Sequence, residues 1–381
     1  MVIFAVLKKF MHRHRTRNAI TAAARTTCSA LTVAAIAVIG NAFIARAAHA
    51  NDAAYARPQQ RIDIGIGNGK GHHLNLYCIG SGTPTVLFES GLADWGFSWS
   101  LVQAQIATLT RACVYDRAGL GYSDAAYRAS TSSNMVDDLH HLLHAAHLAP
   151  PYLLVGHSLG GLNVRLYADR FRDEIAGMVL VDPTHEDGIR RIDAQQNNRE
   201  TRRYAAEIVH AKACLHRSRA KKVDAQSAER FRRDCIDPDD PHYSAQLNAA
   251  RVQVARLQSY QQAQLSEITN YANGNSFAEL RAARRWYGAL PLMVLTASRT
   301  VEAIGPEWLR LHQELAWLSR FGVQSTVADS DHYIQLDQPQ AVITAVTNVL
   351  KQARAISQDA PAATVQFDYT ASGNASSAPI P

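Results

Sequence analysis

The sequence predicts an α/β protein with a mostly parallel central sheet and helices on both faces. Short runs rich in Val, Leu and Ile alternate with helical patterns along most of the chain. Several of these runs are continuously apolar, which is typical of strands buried on both faces of a parallel sheet. Strands that alternate with helices are expected to be joined by right-handed crossovers, which gives three layers.

Eight segments are predicted as strands and five as helices of the core. The strand segments are 61–66, 74–79, 85–89, 112–115, 152–156, 176–182, 290–297 and 324–328. The helical patterns cover 99–109, 134–147, 159–172, 306–319 and 339–355. With 381 residues, the chain is long enough for one large domain or two ordinary ones.

Residues 184–288 interrupt this alternation, since they contain no strand-like run and are predicted to form several helices. We expect a helical cap, or lid, inserted into a core formed by 51–183 and 289–356. Residues 189–288 carry 18 Lys and Arg against 11 Asp and Glu. These basic side chains either pair with nearby carboxylates or attract anionic substrates or surfaces to the entrance. They include Arg190, Arg191, Arg202, Arg203, Arg217, Arg219, Lys221 and Lys222.

The two ends of the chain are predicted to lie outside the folded body. Residues 1–50 carry seven Lys and Arg but no Asp or Glu, and an uncharged, Ala-rich stretch at 26–45 precedes the small-residue motif at 48–50. This pattern is typical of a secretion signal, with an uncleaved membrane anchor as the alternative. Both place the body outside the cytoplasm, either secreted or periplasmic. Residues 357–381, rich in Ala, Ser and Pro, are predicted to be a disordered tail.

Charge argues against nucleic acid as a partner. The formal net charge of +6 comes from the first fifty residues, because residues 51–381 hold 32 Lys and Arg against 33 Asp and Glu. A nucleic-acid-binding domain is expected to be strongly basic. Contact with a membrane is expected only through the N-terminal segment, if that segment is not cleaved.

The clearest chemical signal is a G-x-S-x-G motif centred on Ser158. It lies where the predicted strand 152–156 runs directly into the helical pattern 159–172. Such a junction needs a sharp turn, in which glycine at 156 and 160 avoids clashes and the serine hydroxyl projects above the strand end. The first amides of the following helix point to the same place and can stabilise a developing oxyanion. The motif therefore predicts a nucleophilic serine.

A serine nucleophile needs a general base, and His332 is predicted to provide it. It follows the last predicted strand and lies on a loop at the carboxyl edge of the sheet, the edge that carries Ser158. Among the other histidines, His140, His144 and His147 share one face of a predicted helix, where their spacing allows metal binding. We prefer the interpretation that this face is a solvated surface, and we expect neither a metal nor an organic cofactor.

Several segments together resemble the α/β-hydrolase fold superfamily, in the serine-nucleophile branch that contains esterases and lipases. They are FESGL at 88–92, YDRAGLGYS at 115–123, GHSLGG at 156–161, VDP at 181–183 and HYIQLDQP at 332–339. The resemblance covers residues 61–355. It implies the order nucleophile, acid, histidine along the chain.

The resemblance also implies roles for residues around the nucleophile. The backbone amides of Leu159 and Leu92 would hold the oxyanion, although Ser90-Gly91 stands where the family usually has His-Gly. Asp116, Arg117 and Ser123 would belong to a structural loop.

The acid of the triad has two main candidates. The commonest family position follows the penultimate strand, where the first carboxylate of this chain is Glu302. A second arrangement, similar to some lipases and dehalogenases, places the acid after the strand that follows the nucleophile helix, where Asp182 stands. A carboxylate there would fix the tautomer of His332, so we prefer Asp182, but a turn or helix cap before Pro183 would also explain it. The further candidates are Asp331, Glu186 and Glu307.

Four of the five cysteines lie beyond the predicted signal, and four cysteines allow three pairings. Cys214 and Cys235 both lie in the predicted cap, where a disulfide would close a loop and contribute about 3 kcal/mol. We expect that disulfide to form. Cys78 and Cys113 lie in strands that the fold places side by side, and we expect buried free thiols there.

These features predict a secreted serine hydrolase that cleaves a carboxylic ester, less readily an amide, through an acyl-enzyme on Ser158. The expected substrate is a small-molecule or lipid-like ester. Dehalogenases and epoxide hydrolases of this fold use an aspartate as nucleophile, so the serine argues against their chemistry. The alternative from a different class is a catalytically silent binding protein that keeps the fold without the reaction.

Overall fold

A computed structural model of the protein describes residues 52–65, 71–220 and 224–359. The predicted secretion signal and most of the predicted tail lie outside these residues. Within them, eight strands form a single sheet: β1 (Gln60–Asp63), β2 (His73–Ile79), β3 (Thr85–Glu89), β4 (Ala112–Tyr115), β5 (Tyr152–His157), β6 (Ile175–Val181), β7 (Leu292–Ala297) and β8 (Gly322–Val327).

The strand order is β1-β2-β4-β3-β5-β6-β7-β8. The first two pairings, β1 with β2 and β2 with β4, are antiparallel, and the other five are parallel. The predicted fold class, a mostly parallel eight-stranded sheet with helices, is therefore confirmed.

Thirteen α-helices are present within the described residues: α1 (Gln103–Ile106), α2 (Ser132–Ala145), α3 (Leu159–Arg170), α4 (Gly188–Gln195), α5 (Arg199–Ser218), α6 (Ala225–Cys235), α7 (Ala245–Ala255), α8 (Gln258–Ala272), α9 (Asn275–Ala283), α10 (Ser298–Ile304), α11 (Pro306–Ala316), α12 (Ile334–Asp337) and α13 (Pro339–Asp359). Three short 3₁₀ segments cover Asp52–Ala56, Gly96–Trp99 and Arg172–Glu174. None of the helices in this part of the chain is long and apolar enough to cross a membrane.

The predicted helix at 99–109 is wrong in length. The structure forms only the four-residue α1 in this region, after a 3₁₀ segment that ends at Trp99. The apolar residues Trp99, Val102 and Ile106 are fully buried, which produced the helical pattern. Beyond α1 the Thr108 hydroxyl donates to the Gln105 carbonyl at 2.7 Å. Such local side-chain bonds compete with the helix, which ends at this point.

The central strands β3, β4 and β5 are buried on both faces, as their continuous apolar sequences require. Along β3, Val86 and Phe88 point to the cluster that contains Val346 of α13. The intervening Leu87 points to the opposite cluster, which contains Leu139 of α2. Successive side chains of a strand point to opposite faces, so the apolar run supplies both layers of the core.

The last of the inserted helices α4–α9 shares its apolar cluster with the core. Helix α9 packs against α2 and α3, and Phe277 and Leu280 belong to the same apolar cluster as those helices. The first turn of α2 bonds to α9, because the Ser132 amide donates to the Ser276 hydroxyl at 3.1 Å and the Ser133 amide to Glu279 at 2.7 Å. These bonds satisfy amides that a helix start leaves without partners.

Two disulfides are present, and one of them corrects an expectation from the sequence. Cys214 and Cys235 are joined, which ties α5 to α6. Cys78 and Cys113 are also joined, so the free thiols expected there are wrong. They are direct register partners on the antiparallel strands β2 and β4, with their Cα atoms 4.1 Å apart. Facing residues at this separation bring their side chains together, and two thiols so placed can oxidise.

Removal of the strand disulfide is expected to destabilise the fold. A Cys78→Ala, Cys113→Ala variant opens a loop with a sequence separation of 35. Losing such a native link typically costs about 2–4 kcal/mol, because the unfolded chain becomes less constrained. We expect the free energy of unfolding from urea denaturation to fall by that amount. A Cys214→Ala, Cys235→Ala variant is the matched comparison, and an unchanged stability of the first variant would contradict a bond between the two strands.

Candidate active site

Ser158 occupies a sharp turn between β5 and α3. Its backbone φ is +53° and ψ is −118°, a conformation that residues other than glycine rarely adopt. The turn is tight, because a Cβ at Gly156 would lie 2.5 Å from the Gly160 carbonyl oxygen and one at Gly160 would lie 2.4 Å from that of Glu89. Both glycines are therefore required by close backbone approach, as the motif predicted.

His332 and Asp182 meet at the same edge of the sheet. Asp182 follows β6 directly, and its Oδ2 lies 2.7 Å from Nδ1 of His332. The other carboxylate oxygen accepts hydrogen bonds from the Ala297 amide and from the Trp308 indole, both at 3.0 Å. Because a carboxylate only accepts, Nδ1 of His332 carries the proton and Nε2 is left as the basic nitrogen.

The fully buried Asp182 remains ionised despite its surroundings. Burial opposes ionisation of the carboxyl, but the hydrogen bond from His332, its charge when protonated, and the Trp308 donor outweigh it and lower the pKa of Asp182. A buried carboxylate with three hydrogen-bond donors can hold a histidine in one tautomer and stabilise its imidazolium.

The other carboxylates considered for this role are placed elsewhere. Glu302 is exposed on α10, and Asp182 is the one that bonds to His332. The remaining three pair with arginines: Glu186 with Arg165 at 2.7 Å, Glu307 with Arg191 at 2.6 Å and Asp331 with Arg299 at 3.4 Å.

The loop after β3 brings Leu92 to the wall of the pocket that Ser158 also lines. Leu159 is the first residue of α3, so its amide is one of those that have no partner within the helix. The loop is fixed by Arg117, which donates to the carbonyls of Ser90 at 2.7 Å and Gly91 at 2.6 Å. Arg117 thus lies in a structural position, in line with the resemblance.

Arg117 itself is 3% exposed and is held between two carboxylates. Glu89 of β3 lies 3.0 Å away and Glu267 of α8 lies 2.7 Å away. Burial opposes the charge, but the two carboxylates more than compensate and raise the pKa of Arg117. Glu267 also accepts from the Ala93 amide at 2.8 Å. An inserted helix therefore fixes the loop that carries Leu92.

His157 is a site residue that sequence reasoning did not assign. Its Nε2 donates to the backbone carbonyl of His332 at 2.9 Å, and the two rings lie 4.7 Å apart. Burial, together with the neighbouring His332, lowers the pKa of His157 to about 3, so the ring is neutral. It fixes the loop of His332. The sequence signal was only its position beside Ser158, since the direction of the side chain depends on a contact 175 residues away.

His312 lies beside Asp182, with its Nδ1 4.0 Å from Oδ1 of the carboxylate. Its Nε2 donates to the Pro183 carbonyl at 2.9 Å, and Nδ1 accepts from the Thr296 hydroxyl at 2.7 Å. Burial lowers the pKa of His312 to about 4, which keeps the ring neutral. Trp308 and His312 both come from α11, so this helix positions the carboxylate.

The pocket has a volume of about 780 Å³, part of which is open to solvent. Core and inserted residues contribute to its wall, which is mostly apolar and aromatic. The lining residues are Leu92, Ser158, Thr184, His185, Gly188, Ile189, Ile192, Glu200, Arg203, Tyr204, Tyr271, Thr300, Ile304, Trp308 and His332. Ser158, His332 and Leu92 thus share one cavity, with Asp182 directly behind His332.

Comparison with known proteins places this geometry in a family. The sequence profile of the Alpha/beta hydrolase family matches residues 86–345. An uncharacterized protein of Bacillus subtilis, YqjL, is 26% identical over 272 residues, which cover 71% of this chain and 85% of that protein.

Solved structures are similar in fold. A protein of Acinetobacter baumannii described as a candidate lipase has a TM-score of 0.57 at 18% identity, over 88% of this chain and 99% of that one. The epoxide hydrolase CorEH has a TM-score of 0.52 at 20% identity, over 74% and 96%. At these identities the likeness concerns the fold alone.

The Arg117 ion-pair network offers a test of how the loop of Leu92 is held. A Glu267→Gln variant leaves a buried guanidinium with one carboxylate instead of two, and we expect a loss of about 3 kcal/mol in the free energy of unfolding. Glu229→Gln, on the exposed surface of α6, is the matched control and should change stability by less than about 0.5 kcal/mol. Equal urea midpoints for wild type and Glu267→Gln would show that this network does not stabilise the fold.

Proposed function

The chain belongs to the alpha/beta hydrolase family, and we propose that it is a serine hydrolase that cleaves carboxylic esters through an acyl-enzyme on Ser158. The observation that carries the proposal is the 2.7 Å hydrogen bond from His332 to the buried Asp182, beside a pocket that Ser158 and His332 both line. A nucleophile, a base and an orienting carboxylate in this order are the elements that acyl transfer needs.

The proposed reaction proceeds in two halves. Ser158 Oγ attacks the ester carbonyl while Nε2 of His332 takes the hydroxyl proton, and the amides of Leu159 and Leu92 hold the resulting oxyanion. The tetrahedral intermediate collapses, the C–O bond breaks, and His332 returns the proton to the leaving alcohol. Water, deprotonated by His332, then attacks the acyl-enzyme carbonyl. The C–O bond to Ser158 breaks, His332 returns the proton to Ser158 Oγ, and the carboxylic acid is released.

The pocket supports an ester with an apolar group on at least one side of the carbonyl. Ile189, Ile192, Ile304 and Trp308 lie on its wall together with two tyrosines. Burying an apolar group against such a wall contributes about 25 cal/mol for each Å² removed from water. A small-molecule or lipid-like ester is therefore the proposed substrate class, and an amide, with its poorer leaving group, is secondary.

The serine nucleophile separates this proposal from the epoxide hydrolases that share the fold. The resemblance implies that epoxide hydrolases of this fold use an aspartate as the nucleophile at this turn. A serine at the same position favours ester cleavage instead. Asp182 is already bonded to His332, in the position of an orienting acid rather than of a nucleophile.

Four of the eight basic residues expected near the entrance lie in ion pairs, which favours pairing over attraction of anions for those four. Arg190 pairs with Asp187 at 3.1 Å, Arg191 with Glu314 at 2.7 Å and Arg217 with Asp234 at 2.9 Å. Arg203, which lines the pocket, is paired with Glu200 and Glu207. Charges already neutralised by neighbours steer a distant substrate weakly. Lys221 and Lys222 lie outside the described residues.

We also propose that the folded body works outside the cytoplasm. The basic and apolar pattern of residues 1–50 supports export. The two disulfides support it independently, because disulfides persist in oxidising compartments and are rare in the cytosol.

A fluorophosphonate probe tests the reaction class. It reacts with an activated serine, so we expect one adduct per chain and, after digestion, the modified peptide to contain Ser158. Ser158→Ala is the matched control and should take up no probe. A folded wild-type protein that stays unmodified under conditions that label a known serine hydrolase would favour the silent binding protein.

Two substitutions test the acid. Asp182→Asn keeps an oxygen for the Ala297 and Trp308 donors but presents an amide donor to His332, which favours the wrong tautomer. We expect kcat for a p-nitrophenyl ester to fall by about 10³–10⁴-fold with little change in thermal stability. Glu302→Gln, at the exposed alternative position, should change kcat by less than about twofold. The opposite ranking of the two variants would assign the acid to Glu302.

A further inference from the structure

Three metal-ligating side chains converge on the solvent side of α2, away from the pocket. His140 and His144 are one helical turn apart on α2, and Glu174 lies in the 3₁₀ segment between α3 and β6. Nε2 of His140 lies 3.0 Å from Nε2 of His144 and 3.3 Å from Oε1 of Glu174. The third distance, from Nε2 of His144 to Oε1 of Glu174, is 3.7 Å.

These distances suit one face of a tetrahedral metal site. Zinc bonds to histidine nitrogen at about 2.0–2.1 Å and to carboxylate oxygen at about 2.0–2.2 Å. The edge of a regular tetrahedron is 1.63 times the distance from its centre to a corner, so neighbouring ligand atoms lie roughly 3.3–3.5 Å apart around such an ion. The three observed separations bracket that value.

Neighbouring side chains orient the ligands. The hydroxyl of Tyr167 donates to Oε2 of Glu174 at 2.5 Å, which leaves Oε1 turned toward the histidines. The ring of Phe171 stacks on His140, with centroids 3.9 Å apart and planes inclined by 8°. Partners of this kind hold metal ligands in place in known sites and strengthen binding.

We propose that His140, His144 and Glu174 bind a divalent first-row transition metal, with zinc as the fitting ion and water as the fourth ligand. Two imidazoles and one carboxylate are a common donor set for zinc. The other group of convergent donors in the described part of the chain, His210 with Cys214 and Cys235, is different because its two sulfurs form a disulfide.

The site would act as a structural clip rather than as part of catalysis. Ser158 and the metal ligands lie at opposite ends of α3, a helix of 12 residues, which spans about 18 Å. The ion would join α2 to the connection that leads into β6, across a sequence separation of 34. Binding only to the folded state stabilises it by mass action.

Zinc binding to the untagged full-length chain tests the proposal. After dialysis against zinc and removal of excess ion, we expect one zinc per chain by elemental analysis. Calorimetry gives Kd, and zinc at a hundredfold excess over Kd should raise Tm by about 3–5 °C. Hydrolysis of a neutral ester should be unchanged by this zinc occupancy, so failure of the metal site and failure of the proposed hydrolase function are separate results.

Four variants locate the ion. His144→Ala removes an exposed ligand and should abolish both the bound zinc and the Tm rise, while its metal-free Tm stays equal to that of wild type. Glu174→Gln and Tyr167→Phe should weaken binding by about tenfold or more. His141→Ala, an exposed neighbour on the same helix, should bind zinc as wild type does. A wild-type chain without bound zinc, or a His144→Ala variant that binds it equally well, overturns the proposal.

Discussion

Parallel strand pairing is the constraint on which the candidate site depends. Because β3, β5, β6 and β7 run in the same direction, they end at one edge of the sheet, where Glu89 faces Gly156 and His157 faces Val181. The backbone ladder continues into the site itself, since the Ser158 amide bonds to the Val181 carbonyl and the Asp182 amide to that of Leu295. Ser158 and Asp182 are therefore placed by main-chain hydrogen bonds. Their positive φ values, +53° and +40°, are the local strain that this placement requires.

Buried charge provides the second level of organisation. Arg117 is enclosed with Glu89 and Glu267, and Arg165 with Glu186, both beneath the edge that carries the site. Buried ion pairs recover their desolvation cost only when their geometry is good, so they favour one arrangement of the surrounding loops over others. Here the arrangement includes the carbonyls of Ser90 and Gly91, which Arg117 binds directly. The loop needs no histidine before Gly91 for its anchoring, because Arg117 supplies the donors.

Local patterns predicted the strands and the strand–turn–helix junction at Ser158, because both arise from short-range sequence constraints. They did not predict what depends on distant contacts. The bond between Cys78 and Cys113 required the register of two strands, and the role of His157 required the path of the loop that carries His332. The choice between Asp182 and Glu302 required both carboxylates to be located in space. The packing of α9 against the core could not be predicted either, because the apolar residues of a helix do not show whether they pack against the core or against other helices of a separate cap.

The contact of Glu267 with Arg117 and Ala93 has a consequence for protein engineering. Insertions in proteins of this architecture invite exchange as modules, with the aim of transplanting substrate preference from one scaffold to another. In this chain α8 is also a brace for the loop of Leu92, and its Tyr260 hydroxyl donates to the Ala93 carbonyl at 3.2 Å. A chimera in which residues 184–288 are replaced would acquire a different pocket wall. It would also lose the contacts of Tyr260 and Glu267 that hold the loop of Leu92. To separate these two effects, the inserted segment must at least keep a tyrosine and a glutamate at the positions of Tyr260 and Glu267.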